Sequence, residues 1–395
     1  MSTLKAAHRG LRTRAQTFFS PTPEYVRSRL RSPPSSESTS VFLLSTSLQE
    51  LPELLPILQQ HTPNNIGSFS VTAPGTEATL SVATFSKDDV HIFRSKSSGR
   101  PPAEVGRFQR PETQRIQREE DMKGTGQGEA EATLAGEGWA GMWKGELSVE
   151  RIPELEGVDA QHFLLLTDGR PGPVLRALDE MYPSASKLGI LTAATPFVTN
   201  RPYTLLHNGS IYSSGTLGLA VRHRPSTTLD FGLLPMTEPV KISGAQGNML
   251  LSIEGSNTNP TQMLIGAIQR RGGTGITKEE DFYLGMLNEG DTRRVVKILS
   301  GDPSRGALSV DMEDPLLVGQ TIQFLHRHGQ SPIPQPAPNT FTFSSLLRSD
   351  DTGNVKSGSP RVVDGFMGFS EEGIIYSNPM SSICTAPGAV ISATW

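Results

Sequence analysis

The sequence predicts an α/β or α+β fold: mixed sheets with covering helices, arranged as two related halves. Three observations carry that expectation. A strand–helix–glycine–strand layout recurs along the chain. The 39 glycines and 30 prolines among 395 residues call for many turns and loops rather than a helical bundle. From Tyr203 onward, short apolar runs alternate with turn residues, as successive strands do.

The first unit opens with Val41-Phe-Leu-Leu44, a strand-like run. Leu48, Leu51, Leu54, Leu55 and Leu58 follow at helical spacing, interrupted by Pro52 and Pro56. Pro63-Asn-Asn-Ile-Gly67 reads as a turn into a second strand that ends near Val71. The second unit repeats this with His162-Phe-Leu-Leu-Leu166, the stripe Val174, Leu175, Leu178 and Met181, the turn Pro183 to Gly189, and Ile190-Leu191. Leu43 to Gly67 and Leu165 to Gly189 are both 24 residues apart. Phe341 to Leu347 followed by Pro360 to Gly368 is a looser third copy, without an apolar helix face between its strands. Asn208-Gly209 between two apolar runs predicts a hairpin. Val240–Ile242, Met249–Ile253, Arg294–Leu299, Ala307–Val310 and Ile322–Leu325 read as strands, and Pro260–Ile268 as a helix. Ser331 to Pro338 is a Pro-rich extended linker.

Residues 1–38 read as a disordered basic tail or a mitochondrial transit peptide. No Asp or Glu precedes Glu24, while Lys5, Arg9, Arg12 and Arg14 do. The expected address is the mitochondrial matrix, with the cytoplasm as the alternative. Residues 95–158 read as a polar, Gly-rich insertion in which Trp139 and Trp143 anchor the loop on the core. The domains expected are a unit over 39–238 bearing that insertion and a second unit over 239–395, joined near 235–245.

Net charge is −4, which favours neither nucleic acid nor anionic membrane. No apolar run approaches the ~20 residues of a membrane helix. Cys384 is the single cysteine, so an intramolecular disulfide and a Cys-based zinc site are excluded; its strand-like setting makes it a packed thiol. Gly124 to Gly128 and Gly272 to Gly275 lack the strand and the Lys-Ser/Thr of a phosphate loop. His326 and His328 read as two exposed histidines without a third ligand. Ser370 sits outside any Gly-x-Ser-x-Gly elbow. No catalytic residue, metal site or cofactor is nominated.

Five segments, in order, resemble the FIST family. They are Leu178-Asp-Glu-Met-Tyr-Pro183 with Leu188-Gly189; Leu205 to Gly215 with Gly215-Thr-Leu-Gly218; Val240 to Leu251; Val295 to Pro303 with Gly306-Ala-Leu308; and Val363-Asp-Gly-Phe-Met-Gly-Phe-Ser-Glu-Glu-Gly373. The resemblance covers most of 41–395 outside the insertion. Two departures stand out. Family members often carry Cys where this chain has Phe341 to Leu347, and Gly-Cys-Ser where it has Gly67-Ser-Phe. The F-box of some relatives has no counterpart in residues 1–40. The resemblance implies a FIST N-terminal-like unit over 39–238 and a C-terminal-like unit over 239–395. It also implies a sensory or adaptor module that binds a small metabolite, such as an amino acid, without turnover, with room for a protein partner. The alternatives are an enzyme whose site is assembled from distant residues, and a pure scaffold. Glycine turns at strand ends leave backbone N–H groups approachable. They nominate Gly67, Gly189 and Gly365 for the ligand, with Thr192, Thr195 and Glu371 as polar neighbours.

Overall fold

The computed structural model describes residues 13–30, 37–96, 152–271, 282–302, 304, 306–312, 315–327, 333–347, 355–377 and 380–395. Strands dominate: four α-helices among the described residues accompany four sheets, so the mixed fold is far richer in β than expected.

Both predicted strand–helix–strand units are present, and they match closely. In the first sheet, inside the edge strand Arg361–Asp364, strands run in the order Thr13–Phe19, Thr79–Ser86, Ser38–Ser45, Asn64–Ser70, Leu205–His207, Ser210–Tyr212. In the second the order is Val90–Ser95, Thr216–Val221, His162–Thr167, Ser186–Leu191, Ile374–Ser377, Ser381–Cys384. Each reads antiparallel, antiparallel, parallel, antiparallel, antiparallel. The looser third copy is a third sheet, Ser226–Asp230, Val390–Thr394, Thr340–Ser345, Phe366–Ser370, which reproduces the first three of those pairings. The relation between halves is therefore one between stacked sheets rather than between N- and C-terminal stretches.

Side-chain alternation decides the layering. Val41 and Leu43 face Leu164, Leu166, Leu188 and Ile190 in a core shared by the first two sheets. Phe42 and Leu44 face the other way, onto the helix Leu51–His61 through Leu54 and Leu58. Phe163 and Leu165 likewise meet Val174, Leu175 and Leu178 of the helix Gly172–Met181. Pro52 lies in the first turn of its helix, where a missing N–H costs nothing, and the helix tolerates Pro56. Asn208 and Gly209 both have positive φ, +49° and +80°, which gives the predicted hairpin its primed turn.

The described residues between 233 and 327 form a separate barrel. Its ring runs Thr321–Arg327, Val240–Gln246, Met249–Ile253, Leu308–Val310, Asp291–Gly301, Phe282–Asn288 and back to Thr321–Arg327. Leu284, Val296, Ile322 and Phe324 fill it, and the helix Pro260–Arg270 adds Leu264 and Ile268. The neighbouring residues Tyr283, Val295 and Leu325 point outward and join the sandwich core.

Four expectations need correction. Thr13–Phe19 is a buried strand and Pro23–Arg29 a helix, so the stretch 1–38 is not wholly a tail. Its strand was masked by polar residues that find partners inside: Thr17 Oγ1 donates to Gly365 O at 2.8 Å and shares a 2.9 Å bond with Ser81 Oγ. The insertion is narrower than 95–158, since Ser95 ends a strand and Ile152 and Leu155 are buried; Trp139 and Trp143 lie outside the described residues. The strands Thr340–Ser345, Phe366–Ser370, Ile374–Ser377 and Val390–Thr394 return to the sandwich after the barrel, so the described part of 239–395 is not one packed unit. Finally, Gly67 and Gly189 are strand positions rather than turns.

The two glycines have a packing reason. Gly67 pairs with Phe42, whose ring occupies the place of a side chain: a Cβ there would lie 2.2 Å from the ring. A Cβ on Gly189 would lie 2.7 Å from the carbonyl oxygen of Leu165, its partner in the register. We expect Gly67→Ala to destabilise the fold by ~1–3 kcal/mol through overpacking. Combining it with Phe42→Leu should cost less than the sum of the two single changes in urea unfolding. Strict additivity would show that the ring does not fill the glycine's space.

Candidate functional site

Two places compete: the carboxyl ends of the parallel strands, where ligands commonly sit in α/β sheets, and a cleft between sandwich and barrel.

At the strand ends the three sheets are tied together. Ala193 N donates to Phe69 O at 2.8 Å, Val71 N to Phe369 O at 3.1 Å, and Leu191 N to Gly373 O at 3.1 Å. The side chains are spent on the same task. Ser370 Oγ donates to Leu191 O at 2.6 Å and accepts from the N–H groups of Glu372 and Gly373. Its oxygen is buried and engaged, so it is no nucleophile. Asp168 Oδ1 accepts from Arg170 N at 2.8 Å and Oδ2 from Gly215 N at 2.7 Å. Thr192 donates to Thr167 O, and Thr195 shares its hydroxyl with Thr199 and Thr204. Thr192 and Thr195 are both fully buried. Glu371 is half-buried at this edge, and the carboxylate of Glu372 approaches Tyr203. Burial and the carboxylates of Glu372 and Asp168 push the Tyr203 phenol up to about 12.

Of the nominated residues, then, Thr192, Thr195 and Glu371 gather at the strand ends, while Gly67 and Gly189 lie further back within their strands. Gly365 stands apart, at the corner where the chain leaves the strand Arg361–Asp364 for Phe366–Ser370. Its φ is +117° and a Cβ would lie 2.4 Å from Ala337 O, so only glycine fits.

The cleft is of another kind. It has a volume of about 510 Å³, within the range of small-molecule sites. One wall is sandwich: Thr227, Leu229, Asp230 and Tyr376. The other is barrel: Asp291, Arg293 and Gln323. Phe231 and Tyr376 meet edge to face, centroids 5.7 Å apart, and the Tyr376 hydroxyl donates to Arg293 O across the junction at 3.2 Å. Burial raises the Tyr376 phenol well above its usual range, so it stays a neutral donor. Asp230 Oδ1 accepts from Gly232 N at 2.9 Å, and Arg293 lies 3.6 Å from Asp291. Both charge signs thus face one space. None of these residues was singled out by sequence reasoning, because they come from four strands and the loop at Phe231 with no common spacing.

Other reactive groups are sealed. Cys384 is buried and its thiol is pushed up to about 12 by desolvation. His326 is buried rather than exposed, with Nδ1 2.7 Å from Arg327 O; His328 lies outside the described residues. His162 makes a Ser–His contact, Nδ1 to Ser186 Oγ at 2.8 Å, yet the ring is fully buried against the edge of Trp395. Burial, then the nearby Arg224, hold its pKa down at about 3, so it is neutral at physiological pH.

The FIST N domain family model matches residues 39–256, just over half of the chain. The chain belongs to the FIST family. The match takes in both strand–helix–strand units and enters the barrel, ending past the strand Met249–Ile253. No curated protein matches the chain. FIST domains are sensory, so membership implies that this protein binds a ligand.

His162 gives the FIST fold a defined pH response. Its folded pKa lies below the unfolded value near 6.5, so the unfolded chain binds the extra proton. The stability it contributes is full above pH 6.5 and falls as pH drops toward 3, by about 1.4 kcal/mol per pH unit. Urea unfolding between pH 7.5 and 5 should show this slope, and His162→Gln should flatten it by about one proton. An unchanged slope in the variant would assign the response elsewhere.

Proposed function

We propose that this FIST protein is a sensory module whose ligand, a small metabolite bound without turnover, sits in the cleft between sandwich and barrel. The carrying observation is that Asp230 and Asp291 share this cleft with Arg293. An ammonium and a carboxylate on one small molecule would satisfy both signs, which is the chemistry of an amino acid. The strand-end reading has less support, since its hydroxyls and Asp168 already bond one another. On this reading residues beyond 256 serve as the C-terminal FIST unit and supply the Arg293 wall.

The test is thermal shift of the purified protein with each free amino acid. A ligand at 100 times its Kd adds about 2.7 kcal/mol of stability, a shift of a few degrees for a chain of this size. Arg293→Ala should weaken the carboxylate contact about tenfold or more. Stabilisation that survives this change, and the change Asp230→Asn with it, would move the ligand out of the cleft.

For address, the acid-free start supports import into the mitochondrial matrix by a signal lying before Thr13, because Thr13–Phe19 belongs to the fold. A fluorescent fusion of residues 1–12 should then reach mitochondria; one that stays in the cytosol would refute the address.

A further inference from the structure

The strand Ser226–Asp230 is the edge of the third sheet. It pairs with Val390–Thr394 on one side, and among the described residues no strand pairs with its other side. Open edges invite another strand, and proteins usually blunt them. Four other outer strands here are blunted. Ser210–Tyr212 is three residues long. Arg361–Asp364 begins and ends on a charge. Val90–Ser95 carries His91 and Arg94, whose guanidinium stacks 3.5 Å over the Tyr212 ring. The first N–H of Ser381–Cys384 is taken by Asp179 Oδ2 at 3.0 Å. Of these devices Ser226–Asp230 has only a charge at its end, Asp230. It reads Ser-Thr-Thr-Leu-Asp, holds its register without a bulge, and contains no Lys, Arg or Pro. All of its residues but Leu229 are exposed.

This edge borders the cleft, which Thr227, Leu229 and Asp230 help to line. Thr227 and Leu229 stand on one face of the strand. A strand laid along the edge continues the same sheet, so every second side chain of the newcomer stands on that face too. Five residues of pairing span about 17 Å. The charge of the lining is also informative. Asp230 and Asp291 outnumber Arg293 among the charged lining residues, and the exposed Asp230 lies on the edge strand itself. A basic side chain on the added strand would meet it.

We infer that the partner recognised here is an extended peptide segment carrying a lysine or arginine, which adds as a fifth strand to Ser226–Asp230 and directs its basic side chain into the cleft. This rests on the reading of the cleft as the ligand site, and takes the cationic group bound there to be presented on a peptide segment as well as on a free molecule. Main-chain bonds along the edge give affinity, and the cleft gives the choice of side chain.

The experiment uses the full chain and a fluorescein-labelled eight-residue peptide of alternating valine and threonine with one central lysine. Fluorescence anisotropy should give saturable binding. Replacing the lysine by glutamate should weaken it at least tenfold, and methylating alternate backbone nitrogens on the pairing edge should abolish it. The change Asp230→Asn keeps an oxygen for Gly232 N and should weaken the lysine peptide alone, while a variant of that peptide with norleucine at the centre binds as before. Equal binding of methylated and unmethylated peptides would overturn strand addition. Failure of every peptide, with a free amino acid still raising Tm, would overturn it and leave the cleft reading standing; failure of both would remove the two together. If light scattering shows a dimer that Thr228→Lys dissociates, the edge is taken by a second copy of the chain and the peptide proposal falls.

Discussion

The architecture depends on joining three parallel strand pairs at their carboxyl ends. Each pair leaves backbone donors and acceptors beyond its last residue, and no helix or loop in the described chain covers them all. They are satisfied by one another: the ends of Asn64–Ser70, Ser186–Leu191 and Phe366–Ser370 exchange N–H···O bonds from sheet to sheet. Ser370, Asp168 and Thr192 add side-chain bonds to the same junction. An unmade bond at such depth costs about 1–3 kcal/mol, so the junction rewards only an arrangement in which all three ends arrive together. That requirement explains why the last fifty-odd residues return to the sandwich after the barrel instead of packing beside it.

The same requirement explains the unusual polarity of the interior. Thr17, Ser81, Thr192, Thr195 and Ser370 are all almost fully buried. Each is short, and each hydroxyl reaches a carbonyl or another hydroxyl. Thr17 joins the strand Thr13–Phe19 to Gly365, 348 positions later in the chain. The N-terminal strand is therefore held by its contact with nearly the last part of the protein. The helices contribute differently, covering the outer faces with leucine, which is non-directional and sets no register.

How much was legible follows from this division. Apolar periodicity reports burial against helices and between sheets, and it placed the strands at Val41 to Leu44 and His162 to Leu166 and both covering helices, while the Asn208-Gly209 pair placed the hairpin. It could not report strands whose interior is polar and whose partners lie far away, such as Thr13–Phe19. Glycine misled for a related reason. In a single sequence Gly67 after Pro63-Asn-Asn reads as a turn, yet its role is to leave room for the Phe42 ring on the neighbouring strand. Gly365 is a true corner, with positive φ, and there the inference from glycine to special backbone was sound. The cleft residues carry no signal of either kind, because a site built where two bodies meet has no period.

The junction and the cleft divide the labour of the molecule. Where the strand ends meet, bonds are saturated and side chains are short, so little is left for a ligand to gain. Between sandwich and barrel the reverse holds. Outward-facing Tyr283, Val295 and Leu325 seal part of the contact with apolar surface, and Tyr376 crosses it with one hydrogen bond. The rest is open space with charges of both signs on two walls that belong to different bodies. A molecule that touched only one wall would be indifferent to how the two are placed. One that touched Asp230 on the sandwich and Arg293 on the barrel would favour the placement that satisfies both. By linkage it could shift that placement only by the difference in its affinity for the alternatives, with each tenfold difference equal to about 1.4 kcal/mol. On the reading proposed above, sensing by this FIST domain would use the junction to hold the frame and the cleft to bind across two bodies.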